Sequence, residues 1–283
     1  MKKGKLREPQ LKRAVLRVPK KKIDEYIIPA LAIGVDGAII RKHKDIATAM
    51  SLCDIKVKDM ELIAVNKSMS NIVAIGAIPI GFEVGILLPE KTEEHVVKNI
   101  MNSLDEYARG YDLQIMGGHT QFLASVNSPV ITSVAYGYVD KKYSVKDIKP
   151  DMDVVMTKWT GIEGTAILAE LKEEELLTKY PRHYIDNAKS LGIYMSTIPE
   201  ARALYGQDVV AMHDVSYGGV FAALWELVQE SGVGIEVYLK DIPIKQETIE
   251  VAEFFNINPY MCMGSGSQLI VAEDGVKIVE ALE

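Results

Sequence analysis

Residues 59–79 read DMELIAVNKSMSNIVAIGAIP, and this stretch joins a helix to a turn. From Asp59 to Ile75 no proline or glycine interrupts the chain, and apolar residues recur at helical spacing. Gly76 and Pro79 then break the pattern, and a strand-like run follows at Gly81–Leu88. A helix that leads into a buried strand predicts a mixed α/β fold.

Strand-like and helix-like segments alternate along the rest of the chain. Further strands are predicted at Ala38–Ile40, Ile46–Leu52, Ile115–Met116, Val130–Val139 and Val154–Thr157, and further helices at Thr92–Arg109, Thr165–Leu177 and Gly219–Glu230. The polar segment Lys141–Pro150 contains turn signals and ends in proline. We therefore predict two domains, residues 1–145 and 146–283.

Composition is that of an ordinary globular protein. The 283 residues are 48% apolar and 25% charged, and the formal net charge is -7, which argues against polyanion binding by the whole chain. Residues 1–22 are different, with ten Lys or Arg against one acid. A solvated basic arm or exposed helix face is the favoured interpretation, contact with nucleic acid or an acidic partner is the alternative, and nucleic acid is not expected as a partner of the whole chain.

Cysteine usage and hydropathy favour a cytoplasmic protein. Cys53 and Cys262 lie too far apart to indicate a disulfide framework or a zinc site, which suits a reducing cytosol. The basic start is followed by more charge, so no secretory leader is predicted. Asn71–Pro89 is apolar but interrupted by glycines and prolines, and we predict no membrane span.

Two short motifs place an acid or a pair of glycines beside a predicted strand. In Gly34–Ile40, Asp36 lies between small residues, where a carboxylate can face Mg²⁺; an ordinary turn aspartate is the alternative. Gly117-Gly118-His119-Thr120 follows the strand-like Leu113–Met116, so a sharp turn with N–H groups aimed at an anion is predicted. A tight turn with a surface histidine fits equally well.

Two more motifs come before predicted helices of the second half. Thr157–Thr165 contains Gly161 and Gly164 and predicts phosphate binding at a helix N-terminus, although the Walker pattern is absent. Asp214 precedes two glycines and an amphipathic helix, so it is a helix cap by default and a metal ligand as the alternative. His213 has no serine or cysteine partner at motif spacing, and we predict no catalytic triad.

In their order along the chain, these motifs resemble the AIR synthase-related ATP-binding superfamily, which includes aminoimidazole ribonucleotide synthetase, thiamine-monophosphate kinase, selenophosphate synthetase and HypE. Gly34–Ile40 is similar to the family's Gly-Asp-Asp-Ala-Ala-Val, and Gly117–Thr120 to its Gly-Gly-Asp/Glu/His-Thr/Ser. His213–Gly219 is similar to Asp-Xaa-Ser/Thr-Xaa-Gly-Gly. Asp59–Pro79 and Ile242–Tyr260 look like stretches of HypE, a hydrogenase-maturation factor.

The resemblance implies a PurM-like two-domain fold of the α/β (α+β) class. The N-terminal domain would supply strands to a barrel shared across a homodimer, and the C-terminal domain would be a sheet flanked by helices. ATP and Mg²⁺ would lie in the cleft, where ATP activates an oxygen by phosphorylation. In HypE that oxygen belongs to a carbamoyl group on its own C-terminal cysteine, so a maturation-type protein partner is also implied.

Several positions depart from the family pattern. Val35 and Asn71 stand where the family has acids, and Asp54 is the best candidate for the acid that ends the second strand. HypE has lysine at the position of Gln121 and a carboxylate at the position of Ser265. The last residues, 281–283, hold no cysteine. The resemblance also implies a further strand and helix beyond this point, so the C-terminal domain is expected to be short or truncated.

Two functional hypotheses follow from the resemblance. In the first, an ATP-dependent enzyme phosphorylates or dehydrates a small metabolite or a carrier thiol; in the second, a catalytically degenerate relative keeps nucleotide binding or dimer assembly. A thiamine-monophosphate kinase is a further alternative. In the enzyme hypothesis the catalytic residues are His119 and Asp214, the metal ligands are Asp36, Asp54 and Asp214, and the nucleotide-binding residues are Asp36, Asn66, Asn71, Gly117, Gly118, Thr120, Gly161 and Gly164.

Overall fold

The computed structural model describes residues 27–28, 38–42 and 44–283 of the chain. These residues form two β-sheets with helices packed against them, so the prediction of a mixed α/β fold is confirmed. Asp36 and Val35 of the first predicted motif lie outside the described residues.

The strands divide between a larger sheet in the first half of the chain (residues up to 139) and a smaller sheet in the second half (residues 140–283). The larger sheet has the order β1-β2-β3-β6-β4-β5, and the smaller has the order β7-β9-β8. The strand bounds are β1 Ile27–Ile28, β2 Ala38–Lys42, β3 Lys44–Cys53, β4 Ala77–Pro89, β5 Gln114–Leu123, β6 Val130–Val139, β7 Asp153–Met156, β8 Val209–Asp214 and β9 Gln268–Ala272.

Helices connect and cover these strands. Their bounds within the described chain are α1 Met60–Val73, α2 Glu94–Gly110, α3 Ile162–Leu171, α4 Glu173–Leu176, α5 Arg182–Ser190, α6 Ile198–Ala203, α7 Gly219–Val228, α8 Gln246–Phe254 and α9 Gly275–Leu282. Short 3₁₀ turns lie at Val145–Asp147, Leu191–Met195, Leu239–Asp241 and Pro259–Met261. No helix in the described part of the chain combines the length and apolar character needed to cross a bilayer.

The first half is built around one parallel strand pair. β4 pairs with β5 in parallel, while β4 with β6 and β3 with β6 are antiparallel. A parallel pair needs a crossover, and α2 supplies it. Among the described strands, β5 lies at one edge of the larger sheet, next to β4.

Helix α1 ends where the sequence predicts a break. Its last turn is followed by Gly76, whose φ of 86° is left-handed and whose N–H donates to the carbonyl of Val73. A Cβ at Gly76 would clash with the carbonyl oxygen of Lys141, so glycine is required for both conformation and space. The predicted helix Asp59–Ile75 is confirmed with slightly shorter ends.

One predicted helix is wrong in its bounds. The segment predicted as Thr165–Leu177 begins earlier, at Ile162, and is divided at Lys172 into α3 and α4. Lys172 is not helical, with φ −121° and ψ 24°. The acids at the start of α4 (residues 173–175) sit in its first turn, which the helix dipole favours, and this explains a new helix start.

The core runs through both halves of the chain. On the inner face of the larger sheet, buried residues such as Phe82 and Ile131 pack under α1 and α2. The same apolar cluster continues into Ile162, Ile167 and Met195 of the second half. α1 therefore lies between the larger sheet and the second half, with buried residues on both sides.

Candidate functional site

Helix α1 buries polar residues both against the larger sheet and against the second half of the chain. Ser68 Oγ donates to Ser133 Oγ of β6 at 2.9 Å, which ties the helix to the sheet. Ser70 Oγ lies 3.3 Å from Thr197 Oγ1, which belongs to the second half. Buried hydroxyl groups are stable only when they form hydrogen bonds. These hydrogen bonds therefore favour one packing of α1 against its two neighbours.

Lys67 forms a buried ion pair with Glu163 between the halves. The Lys67 Nζ and Glu163 Oε1 atoms are 2.5 Å apart, and the two side chains are 7% and 0% exposed. Ser265 Oγ donates to the other carboxylate oxygen of Glu163 at 2.5 Å. The ammonium also stands 4.5 Å from the centre of the Tyr217 ring, a cation–π contact.

Opposing effects act on the pKa of Lys67. Burial lowers it, but attraction to the Glu163 carboxylate and the hydrogen bond to it outweigh burial, so the pKa of Lys67 is raised. The Lys67 ammonium is therefore charged at neutral pH. A positive charge is held within one helical turn of Asn71, on the same side of α1.

Asp214 ends β8 and is followed by a tight turn into α7. The carboxylate-bearing residue is 5% exposed. Gly218 and Gly219 have φ of 84° and 65°, and a Cβ on Gly219 would clash with the carbonyl oxygen of Tyr260. The structure assigns no side-chain cap to α7, whose N-cap is Gly218. Asp214 is thus not the helix cap that its sequence position suggests by default.

Gln268 lies on β9 beside Asp214, and sequence reasoning did not predict it as a site residue. It pairs directly with Asp214, and directly paired residues of antiparallel strands share a sheet face. Gln268 Nε2 donates to the carbonyl of Ser70 at 3.3 Å. Its amide oxygen is buried and no donor in the described chain reaches it. A buried acceptor without a donor is costly, which marks this position for a cation or a donor group.

The Gly117–Thr120 motif does not form the predicted turn. It lies in the middle of β5, whose strand runs on to Leu123. Gly118 permits close approach of β4, because a Cβ there would clash with the carbonyl oxygen of Val84. A bulge opposite Phe82 and Glu83 also falls in this region. The predicted turn is therefore wrong, since the glycines serve strand pairing.

The strand conformation separates His119 from Thr120. His119 pairs with Gly85 and Thr120 with Ile86, so their side chains point to opposite faces of the sheet. His119 is exposed, and its Nε2 lies 3.2 Å from Gln121 Oε1. Within one chain these two residues do not converge on a ligand, and their assigned roles stay predictions.

Gly161 and Gly164 are placed at the start of α3, as predicted, but they pack closely against the protein. Gly161 is the helix N-cap with φ 74°. The N–H of Gly164 donates to the carbonyl of Met263 at 2.8 Å. A Cβ on Gly161 would lie 2.7 Å from Thr248 Cγ2. This geometry accounts for both glycines by packing, and phosphate binding at this turn stays a prediction.

The predicted metal ligands are not gathered among the described residues. Asp54 is exposed just past the end of β3, and Asp214 is buried at the end of β8. Within the described ranges, no group of three or more His, Cys, Asp or Glu side chains could hold a metal ion. A metal site would need Asp36, from outside those ranges, or oxygen atoms of a ligand.

Asn66 and Asn71 occupy different environments on α1. Asn66 is 5% exposed, and its Oδ1 accepts a 2.6 Å hydrogen bond from Tyr107 Oη. Asn71 is only half-buried, five positions further along the helix. Asn66 faces a cavity, whereas Asn71 lies nearer the end of α1 that contacts β8.

Sequence reasoning missed Lys67, Glu163 and Gln268. One signal could have found Gln268, because a polar residue opens the apolar run QLIVA of a buried strand. Lys67 likewise interrupts the buried side of a helix whose neighbours are apolar or small. Nothing in the sequence pairs Lys67 with Glu163, since that contact depends on how the halves pack.

Sequence profiles place this arrangement in a known family. The profile described as AIR synthase related protein, N-terminal domain, matches residues 25–139, and that of the C-terminal domain matches residues 149–283. The chain therefore belongs to the AIR synthase related family. The resemblance predicted from the motifs is confirmed.

Among the proteins similar to this chain is one with a name that refers to hydrogenases. A protein of Methanocaldococcus jannaschii, named for hydrogenase expression/formation, is 23% identical over 228 residues, which cover 79% of this chain and 66% of the relative. The chain thus spans about two thirds of that protein's length. The chain is also similar to a HypE of Rhizobium leguminosarum, with 22% identity over 224 residues, which cover 77% of this chain and 62% of the relative.

Solved structures show the same fold. The crystal structure of a HypE–HypF complex matches with a TM-score of 0.75 at 22% identity, covering 92% of this chain and 84% of that one. HypE in complex with ATP matches with a TM-score of 0.73 at 15% identity, covering 86% and 73%. At these identities the likeness concerns the fold alone.

Proposed function

We propose that this chain binds Mg²⁺–ATP where Asp214 and Gln268 face α1. It uses ATP to phosphorylate or dehydrate a small metabolite or a carrier thiol, in the maturation of a hydrogenase or another metallocentre. The observation that carries this proposal is the pairing of a buried carboxylate with a buried amide oxygen that lacks a donor within the described chain. The kinship with HypE-type relatives supports the maturation role.

The residues at this place fit Mg²⁺–ATP in part. Mg²⁺ is usually held by one or two carboxylates together with phosphate oxygens of the nucleotide, so Asp214 and the Gln268 amide oxygen are suitable ligands. Asp36 would supply a second carboxylate. Asn71 contributes an oxygen but no charge, which weakens the site compared with a carboxylate at that position.

The proposal gives specific roles to residues of β8, β9 and the turn after β8. Bound Mg²⁺–ATP would supply the phosphoryl group that converts a poor leaving oxygen into a good one. Asp214 holds the cation through charge, and Gln268 holds it through an oxygen already desolvated in the folded protein. Gly218 and Gly219 keep Cβ atoms away from the turn that follows Asp214. Lys67 is committed to Glu163 and is not assigned to the nucleotide.

Calorimetry with ATP and a non-hydrolysable analogue, each with and without Mg²⁺, tests the proposal. We expect saturable, Mg²⁺-dependent heat from both nucleotides. No binding up to millimolar nucleotide would remove the enzyme hypothesis. Phosphate release is then followed with candidate substrates, and conversion of thiamine monophosphate to its diphosphate would assign the kinase alternative.

A second candidate function is supported by the acids that are missing. Within the described ranges no cluster of metal-binding side chains exists, and Asn71 replaces a family carboxylate. A degenerate relative that binds nucleotide without turnover, or only assembles with a partner, fits that observation. Binding of ATP without any phosphate release, across the substrates assayed, would favour this candidate.

We also propose that the chain forms a homodimer through the outer face of the larger sheet. Met50, Leu52 and Tyr138 lie on this face and are 62%, 47% and 43% exposed. They alternate with buried residues that pack under α1, so the sheet is apolar on both sides. An exposed apolar sheet face is typical of a protein contact, and a second copy of this chain supplies a matching surface.

A further inference from the structure

A cavity of about 480 Å³ opens between the two halves of the chain, away from Asp214. Its walls come from the start of α1, the end of α2, the outer part of α3, the end of α5 and the 3₁₀ turn Leu191–Met195. Cavities of this volume commonly hold small organic molecules. Among the described residues, Asp54, Asp214 and the glycines of the predicted motifs do not line it, whereas Asn66, a predicted nucleotide-binding residue, does.

The Lys67–Glu163 pair lies next to this cavity without lining it. On α1, Ile63 and Asn66 line the cavity and Lys67 comes next along the helix. On α3, Ala166 lines it, and Glu163 lies one turn earlier. These charges meet at 2.5 Å with almost no exposure, and Asp214 does not line the cavity.

The polar end of the cavity presents a donor. Asn66 Oδ1 accepts from Tyr107 Oη at 2.6 Å, and no described residue accepts a hydrogen bond from Asn66 Nδ2. Burial raises the pKa of Tyr107, so its phenol stays protonated and fixes the orientation of the amide. An amide donor held in an apolar cavity calls for an acceptor on the occupant.

Much of the remaining wall is apolar or aromatic, and the two lysines at the rim have acidic neighbours. The rings of Tyr107 and Tyr111 lie 4.9 Å apart at one wall. Lys58 lies 3.9 Å from a carboxylate oxygen of Asp59, and Lys189 lies 2.9 Å from one of Glu173. Because each of these lysines already has an acidic neighbour, an anionic occupant gains little at the rim.

We propose that this cavity binds an uncharged, planar heteroaromatic molecule of two or three rings. Its ring nitrogen or carbonyl oxygen accepts from Asn66 Nδ2, and its faces pack on tyrosine and aliphatic side chains. The inference does not use the ligands of the nucleotide proposal, because Asp214 and Gln268 do not line the cavity.

Quinoline and naphthalene are matched probes, since they share shape and differ by one ring nitrogen. Their affinities are measured by ligand-observed NMR titration on the unmodified protein and on Asn66→Asp, which keeps the acceptor for Tyr107 and loses the amide donor. We expect the quinoline-to-naphthalene affinity ratio to fall about tenfold in Asn66→Asp. An unchanged ratio, with a thermal midpoint showing that the variant is folded, would overturn the proposal.

Two leucine variants locate the binding. Ala166→Leu fills this cavity, and we expect it to abolish binding of both probes. Ala203→Leu is the matched control, because Ala203 lines a second cavity of about 530 Å³ beside Lys158 and Glu200. Loss of binding in Ala203→Leu but not in Ala166→Leu would overturn the assignment. Displacement of quinoline by millimolar ATP would also overturn it, by joining the cavity to the nucleotide site.

Discussion

At the scale of single residues, the pairing of Lys67 with Glu163 has large energetic consequences because both side chains are buried. Burying two charges costs several kcal/mol per ion, and their attraction roughly offsets this cost when the geometry is good. Ser265 completes the hydrogen bonding of the carboxylate. The pair therefore adds little net stability but strongly penalises any arrangement of the halves in which the charges separate.

Removing one partner should be far worse than removing both. Lys67→Met leaves Glu163 buried without its cation, and we expect a loss of about 3–5 kcal/mol in the free energy of unfolding. The double variant Lys67→Met/Glu163→Gln should recover most of that loss, because no uncompensated charge remains. Urea unfolding midpoints check both values. Equal destabilisation of the single and double variants would contradict this account of the pair.

The metal role proposed for Asp214 is testable by removing its charge alone. Asp214→Asn keeps shape and should weaken Mg²⁺–ATP binding about tenfold or more, since a carboxylate is lost from a cation site. Asp208→Asn is the control, because Asp208 precedes the same strand but is fully exposed and pairs with Lys141. An affinity unaffected by Asp214→Asn, measured by calorimetry, would remove Asp214 from the site.

At the scale of elements, β5 shows where sequence patterns stop being informative. Two adjacent glycines after a short apolar run indicate a turn, and from local signals that interpretation is reasonable. The strand continues because β4 lies alongside it in parallel and needs glycine for close approach at Gly118. α1, in contrast, was predictable, since its apolar spacing and its terminating glycine are both local features.

Substitution at Gly118 should test the strand assignment. Gly118→Ala places a Cβ against the backbone of β4, and we expect a loss of about 1–3 kcal/mol of stability. Gly110→Ala at the end of α2 is the control, because a Cβ there meets nothing within 4 Å. That change should be neutral or stabilising by about 0.5–1 kcal/mol. Thermal midpoints that move equally in both variants would argue against the observed strand pairing.

At the scale of the whole molecule, the fold class was predictable and the candidate site was not. Strand and helix patterns, together with the order of the motifs, are enough to predict a two-sheet α/β protein. The site depends on contacts between distant segments, as when Gln268 faces Asp214 and also bonds to Ser70. Such contacts have no signature at short range, so sequence alone indicated Asp214 without its neighbour.

The proposed dimer gives a prediction at this scale. Light scattering with gel filtration should report the mass of two chains, and Met50→Lys should shift it to one chain by placing charge on the outer face of the larger sheet. Met261→Lys is the control, since Met261 is 56% exposed in the second half. A single-chain mass for the unmodified protein would rule out the dimer.

The position of α1 between the halves also limits how members of this family can exchange parts. A recombinant that joined this second half to the first half of a relative without lysine at this position would carry Glu163 into a helix surface that offers no cation. The carboxylate would then be buried without its cation, and the hybrid would start at a disadvantage of several kcal/mol. Lysine and glutamate must therefore be inherited together, and the two halves are expected to diverge as one unit.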